Sequence, residues 1–326
     1  GISLGYLSYN RGLPLTTRSA LQPLFGRAMS SSLGHIVDIV AIVATIVGLS
    51  VTIGYGVSQL ASGFFNITGV EWLVGEGGKP TLTAQLLGLI LIVSASCLSA
   101  MSGLQRGIKW LSNINMALSV FLIAFFVLFG ATLFAFKAFF YTIWDYLMAL
   151  PAMSTTVWQG SDTETATALK DWQGAWSIFY WAWWIAFAPF VGLFLARVSK
   201  GRTIREYVVG AMIIPSLVCL VWFAFIGGTA IDLELSGVAN GAIVNADISA
   251  QLFATINLIL SPELAVALSV VIVILLLTFL VTSADSGILI INTLASGGNQ
   301  NHKSPKHVMI WGVIFSVLIG VLLAAG

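Results

Sequence analysis

From Trp172 to Ala196 the chain carries about 25 residues without a charge, and this run limits the fold more than any other feature. As a helix it extends roughly 37 Å, enough to cross a hydrocarbon layer of about 30 Å with some tilt. It begins beside Asp171 and stops at a basic cluster, Arg197, Lys200, Arg202 and Arg205. Comparable apolar runs cover Gly34 to Ser62, Leu82 to Gly103, Trp110 to Phe136, Ile204 to Gly228, Pro262 to Asn292 and Val308 to Ala325. Lipid offers the backbone no hydrogen-bond partner, so segments of this length cross it as helices. The expectation is an all-α integral membrane protein with seven full spans. Gly1 to Tyr9 reads as the tail of a further span, so the chain is expected to be a fragment. The amphipathic stretch Ala138 to Leu150 reads as a helix lying at the interface.

Composition agrees with that reading and excludes others. Apolar residues make up 58% and charged residues 8%, with a mean hydropathy of +0.97, against about 25% charged residues in ordinary soluble domains. Lys and Arg sit in short loops between apolar spans, which is no footprint for nucleic acid. Cys97 and Cys219 lie inside spans, so neither a disulfide framework nor a cysteine metal site is expected. No catalytic constellation is found: His35, His302 and His307 are at or near span ends, and no nucleophile–base set or phosphate loop appears.

The charges also orient the chain. Alternating the loops places Arg11, Arg18, Arg27, Arg106, Lys109, Arg197, Lys200, Arg202, Arg205, Lys303 and Lys306 on one side, and only Lys79, Lys137 and Lys170 on the other. By the positive-inside rule the first side is cytoplasmic. Most acids, including Glu71, Glu76, Asp162, Glu164, Asp232, Glu234 and Asp247, collect opposite.

Aromatic placement then singles out one span. Trp172 and Trp176 fit an interfacial belt, whereas Trp183, Trp184 and Phe187 fall near mid-membrane. Trp176, Tyr180, Trp183 and Phe187 share one helix face by spacing, with Phe179 and Phe190 flanking it. Two readings stand: rings packed against neighbouring helices, or a cage for a cation without hydrogen-bond donors, each face contributing about 0.5–2 kcal/mol. Pro189, which removes one backbone donor and is expected to break the helix, favours the second.

Polar residues inside other spans complete the inventory. Gly48, Thr52 and Gly56, and likewise Gly54, Ser58 and Ser62, recur every fourth residue or so, a pattern of close helix packing, and Thr45 offers a mid-membrane hydroxyl. Thr278, Thr282, Ser283, Asp285 and Ser286 form a polar band in a Leu/Ile/Val helix. Hydroxyls of Thr282 and Ser283 with the Phe279 carbonyl suit a hard cation; alternatively they bond back to their own helix. Asp285, costly to bury, marks a functional path. Asn113 and Asn115 stand where a helix would be capped.

Three stretches resemble the betaine/choline/carnitine transporter (BCCT) family: Trp176 to Gly192 continuing through FLARVSKGRTIREY, SGLQRGIKWLSNINM (Ser102 to Met116) and TSADSGILIINTLASGG (Thr282 to Gly298). The resemblance implies a LeuT-like inverted repeat of five plus five helices. Residues 1–171 would be part of the first repeat and 172–326 most of the second. It implies a multi-pass protein of the inner (plasma) membrane importing an onium solute: glycine betaine, choline, carnitine or dimethylsulfoniopropionate. Trp183, Trp184 and Phe187 would cage the headgroup; Trp181, Phe179 and Tyr180 would line the passage. Sodium, the implied coupling ion and sole cofactor-like species, would bind Thr282 and Ser283. Asn115, Asp285 and Pro189 would serve coupling or gating, and the assembly would be a homotrimer. The alternative is a sodium-independent or proton-coupled carrier of the same solutes. Two positions depart from the family pattern. Ala186-Phe187 replaces Ser-Trp, and Leu49 stands where a second sodium site often has Thr.

Overall fold

The structure, a computed structural model, describes residues 1–101, 104–160, 163–299 and 305–325. Ser102, Gly103, Asp162, His302 and Lys303 lie outside the described residues. Among the described residues the chain is helical, with short 3-10 turns and one isolated bridge, Val74 to Pro80. In order come α1 (Ile2–Tyr9), α2 (Thr17–Phe25), α3 (Ser32–Thr68), α4 (Leu82–Met101), α5 (Leu104–Phe129), α6 (Thr132–Thr155), α7 (Glu164–Val198), α8 (Ile204–Leu235), α9 (Gln251–Ile259), α10 (Pro262–Ala295) and α11 (Pro305–Ala325). α3 to α8, α10 and α11 are long and apolar enough to cross a membrane.

Local chemistry sets several of these ends. α7 opens at Thr163, whose Oγ1 accepts from the N–H of Ala166. The Gln173 side chain then clips the preceding loop, donating to the Thr156 carbonyl and accepting from the Trp158 N–H, both at 2.8 Å. α10 opens with Pro262 at its first turn and closes on Gly297 and Gly298. Both take left-handed φ values of 64° and 87° and return N–H bonds to Leu294 and Thr293, the stop a helix makes when orphan carbonyls need donors.

The core is built around α3 and α10. Leu49, Ile53, Val57 and Leu60 of α3 pack with Ala284, Ile288, Ile290 and Ile291 of α10, all essentially without exposure. The small-residue spacing read in the sequence is used here. A Cβ at Gly56 would collide with Leu280, and one at Gly48 would stand 3.0 Å from the Phe187 backbone. Leu49 meets Gly287 and Gly56 meets Leu280, in opposite chain order, so α3 and α10 run antiparallel in one register.

Two boundaries differ from expectation. The span expected to run from Trp110 to Phe136 stops at Phe129, because the chain turns at Gly130. Thr229 of α8 sits against that turn, its Oγ1 accepting from the Ala131 N–H at 3.1 Å, and leaves no room for a Cβ at Gly130. The interfacial stretch is also longer than Ala138 to Leu150: α6 runs from Thr132 to Thr155, with only Ala135 buried. Its length and apolarity meet the criteria for a span. If it crossed, however, Arg197 to Arg205 would fall opposite Arg11 to Arg27, against the positive-inside rule. The charge pattern therefore favours the membrane surface for α6.

Candidate functional site

The site forms where α7 crosses α3. Gly48 lets the α7 backbone approach at Phe187, and the Trp183 indole N–H donates to the Gly48 carbonyl at 3.0 Å. That bond fixes the Trp183 ring and spends its only donor. From it a ladder of rings extends both ways along α7. Trp183 lies 5.6 Å from Tyr180, 5.9 Å from Phe179 and 6.2 Å from Trp184. Trp184 meets Phe187 edge-on at 5.9 Å, and Phe187 meets Phe190 at 5.1 Å. Trp176 stacks on Tyr180 at the outer end.

The ladder divides by exposure. Phe190 is buried, Trp183, Phe179 and Phe187 are half-buried, and Trp184 is 57% exposed. The inner rings pack, as the first expected reading has it, while Trp184 leaves much of its indole uncovered. Trp181, expected to line the same passage, is 73% exposed and is absent from the ring contacts among the described residues. Two residues from Trp183, it projects from another side of the helix.

Pro189 does not break the helix as expected. α7 stays α-helical from Phe179 to Val198, and its irregular segment is a π turn at Gly174–Ile178 instead. Pro189 withdraws one donor from the Ile185 carbonyl, but Phe190, Leu193 and Ala196 pack the following turns into the core.

A further ring comes from α3. Tyr55 lies 6.3 Å from both Phe179, edge-on, and Trp183, tilted by 41°. Sequence reasoning missed it, although its signal was present: Gly48, Thr52 and Tyr55 share one face of α3.

The polar band of α10 is largely turned in on itself. Thr278 Oγ1 donates to Ile274 and Leu275 carbonyls, and Thr282 Oγ1 to those of Thr278 and Phe279 at 3.0 and 2.9 Å. The Phe279 carbonyl, expected to face an ion, here accepts from Thr282. The oxygen of Thr282 keeps acceptor capacity and receives Asn115 Nδ2 at 3.5 Å; Ser283 is half-buried beside it. Asn115 is therefore no helix cap. α5 begins at Leu104, well before it, and its side chain is buried at the α5–α10 contact. Asn113, also inside α5, is exposed. Asp285 is fully buried and accepts from Ser99 of α4 at 2.8 Å.

Thr45 is fully buried and donates to the Ala41 carbonyl at 2.7 Å. The α3–α10 register sets Thr282 level with Gly54, which places Thr45 about 13 Å further along α3. The structure thus does not bring Thr45 together with Thr282 and Ser283. The same register puts Thr282 at nearly the depth of Tyr55, while its hydroxyl meets Asn115 of α5 and not α3. Arg197, expected only to orient the span, is half-buried and donates from Nη1 to Thr293 Oγ1 at 3.3 Å, tying α7 to α10.

A sequence profile described as betaine/carnitine/choline family transporter matches residues 1–326. The chain is similar to a glycine betaine/proline/choline transporter of Vibrio parahaemolyticus, 38% identical over 325 residues, covering all of this chain and 55% of the relative. It is also similar to the glycine betaine transporter OpuD of Bacillus subtilis, 33% identical over 325 residues and 60% of that protein. A third relative, glycine betaine transporter 1 of Vibrio parahaemolyticus, is 36% identical over 327 residues and 58% of its length. The chain spans about half the length of the curated relatives it matches.

Proposed function

The chain belongs to the betaine/carnitine/choline transporter (BCCT) family, and on that premise we propose that the full-length protein imports an onium compatible solute by sodium symport. The fold is the all-α, LeuT-like architecture of a multi-pass cell-membrane protein. The observation that carries the proposal is the shared depth of two chemistries on α3. Aromatic rings of α7 lie against one side of α3, and α10, whose hydroxyl band turns toward α5 at Asn115, packs on another. Secondary carriers place substrate and ion sites near the midplane in this manner.

In this reading Trp184 and Phe187 take the methylated headgroup against a Trp183 ring held still by Gly48. Phe179 and Tyr180 stand outward on the path. Thr282 and Ser283 offer oxygen to sodium, and Asn115, at 3.5 Å from Thr282, links that position to α5. Residues 1–171 and 172–326 would belong to the first and second repeats, and the assembly would be a homotrimer. Candidate solutes are glycine betaine, choline, carnitine and dimethylsulfoniopropionate; the names of the relatives favour the first two.

A sodium-independent or proton-coupled carrier of the same solutes is the second reading. It is favoured by Leu49, fully buried against Gly287 where the family often offers a hydroxyl. Uptake of labelled glycine betaine by the full-length protein, with and without a sodium gradient, separates the two. Uptake that collapses without sodium supports symport; uptake unchanged by sodium selects the second reading; no uptake of any of the four solutes refutes both.

A further inference from the structure

Tyr55 is the ring that α3 adds to the aromatic face of α7. It shares a helix face with Gly48, seven residues or about 10 Å further out, so it stands on the extracellular side of the crossing. Phe179 lies correspondingly outward of Phe187. Tyr55 packs against Trp183, which cannot turn because its N–H is held by Gly48. Despite these ring contacts Tyr55 remains 53% exposed, so one side of its ring is held and the other is open. At 6.3 Å between centroids the rings touch, and no trimethylammonium group enters between them. A cation reaches them from the side that Tyr55 leaves open.

From this arrangement we infer that Tyr55 contacts the substrate. With Phe179 and Trp183 it forms an outer aromatic platform on which the onium headgroup rests before passing the α3–α7 crossing. The inference rests on the functional reading above and assigns it a residue from a second helix. The platform also bears on the departure at Phe187, where the family motif carries Trp. Phe is a weaker cation partner than Trp, and Tyr55 returns aromatic surface two helical turns outward.

The test uses the full-length protein and labelled glycine betaine, comparing apparent KM and maximal rate per folded transporter for Tyr55→Leu and Tyr55→Phe. Tyr55→Leu is expected to raise KM about ten-fold, with the maximal rate within about two-fold of wild type. Tyr55→Phe keeps the ring and is expected to keep KM within about two-fold. A tyrosine that only packs would lower the amount of folded protein and leave KM alone. An unchanged KM in Tyr55→Leu, with betaine uptake intact in wild type, overturns this inference and leaves the functional reading standing. Should Tyr55→Leu not reach the membrane, Tyr55→Trp decides. Trp is the stronger cation partner, so a KM below wild type supports the platform, and a KM at or above wild type overturns it. A wild-type protein that takes up no onium solute overturns the functional reading and this inference together.

Discussion

Helix α10 keeps its polar groups inside the protein, whereas α7 turns its rings outward. Over a membrane-length apolar stretch, 39% of the residues of α10 are buried, against 11% for α7. Thr278 and Thr282 find carbonyls one turn back, and Asp285 takes a hydrogen bond from Ser99. On α7, Trp176, Trp181 and Trp184 are exposed within this chain, which spans about half the length of its relatives, and among the described residues Trp183 is the one α7 indole hydrogen-bonded to another helix. The difference follows from what each group needs. A hydroxyl in a low-dielectric setting must be hydrogen-bonded, and its own helix is the nearest source of acceptors. The π face of a ring needs no hydrogen-bond partner and can stand open to a ligand, gaining from a cation that has shed its water.

That contrast can be broken where the two helices meet α3. The largest effect is expected at the tight contact: Gly56→Leu forces a branched side chain onto Leu280 and should destabilise the fold by about 2–3 kcal/mol. Thermal unfolding in detergent measures it, and a wild-type melting temperature would show the α3–α10 contact to be looser than described. On the open helix, Trp184→Ala should leave the melting temperature nearly unchanged while weakening apparent solute affinity about ten-fold, or roughly 1.4 kcal/mol. A matched loss of stability instead would reduce that indole to packing. Back on α10, Thr282→Ala removes one candidate ion ligand and should raise the sodium concentration for half-maximal uptake about five-fold, roughly 1 kcal/mol. Sodium dependence identical to wild type removes Thr282 from the ion site. The smallest change is expected from Trp183→Phe, which deletes the bond to the Gly48 carbonyl. It should cost about 0.5–1 kcal/mol of stability and weaken apparent solute affinity about two- to three-fold, because the freed ring is also the weaker cation partner.

How much was legible from sequence differs in the same way between the two regions. The aromatic stripe at Trp176, Tyr180, Trp183 and Phe187 was visible from spacing, and it forms a continuous ladder. The hydroxyl band was visible too, together with the alternative that its members bond back to their helix. That alternative describes Thr278 and Thr282 in this structure. The partners of each group were not legible. Asn115 looked like a cap because the helix start was placed near Trp110, but α5 begins at Leu104 and carries it into a buried contact. Tyr55 had no local signal beyond sharing a face with Gly48. Its importance comes from rings more than a hundred positions away in the chain.

The sequence by itself determined the class of protein, and its charges assign an orientation. Lipid leaves the backbone no partner outside its own helix, so apolar run length dictates helices, and the Lys and Arg loops choose their direction. Only the tertiary structure decided where α5 ends, whether Pro189 interrupts α7, and which ring is locked and which is open. Those outcomes depend on Thr229 filling the turn at Gly130, on the core holding Phe190 and Leu193, and on a single hydrogen bond from Trp183 to Gly48. Each is a contact between residues far apart in the chain, set by how the helices pack and not by any pattern along one of them.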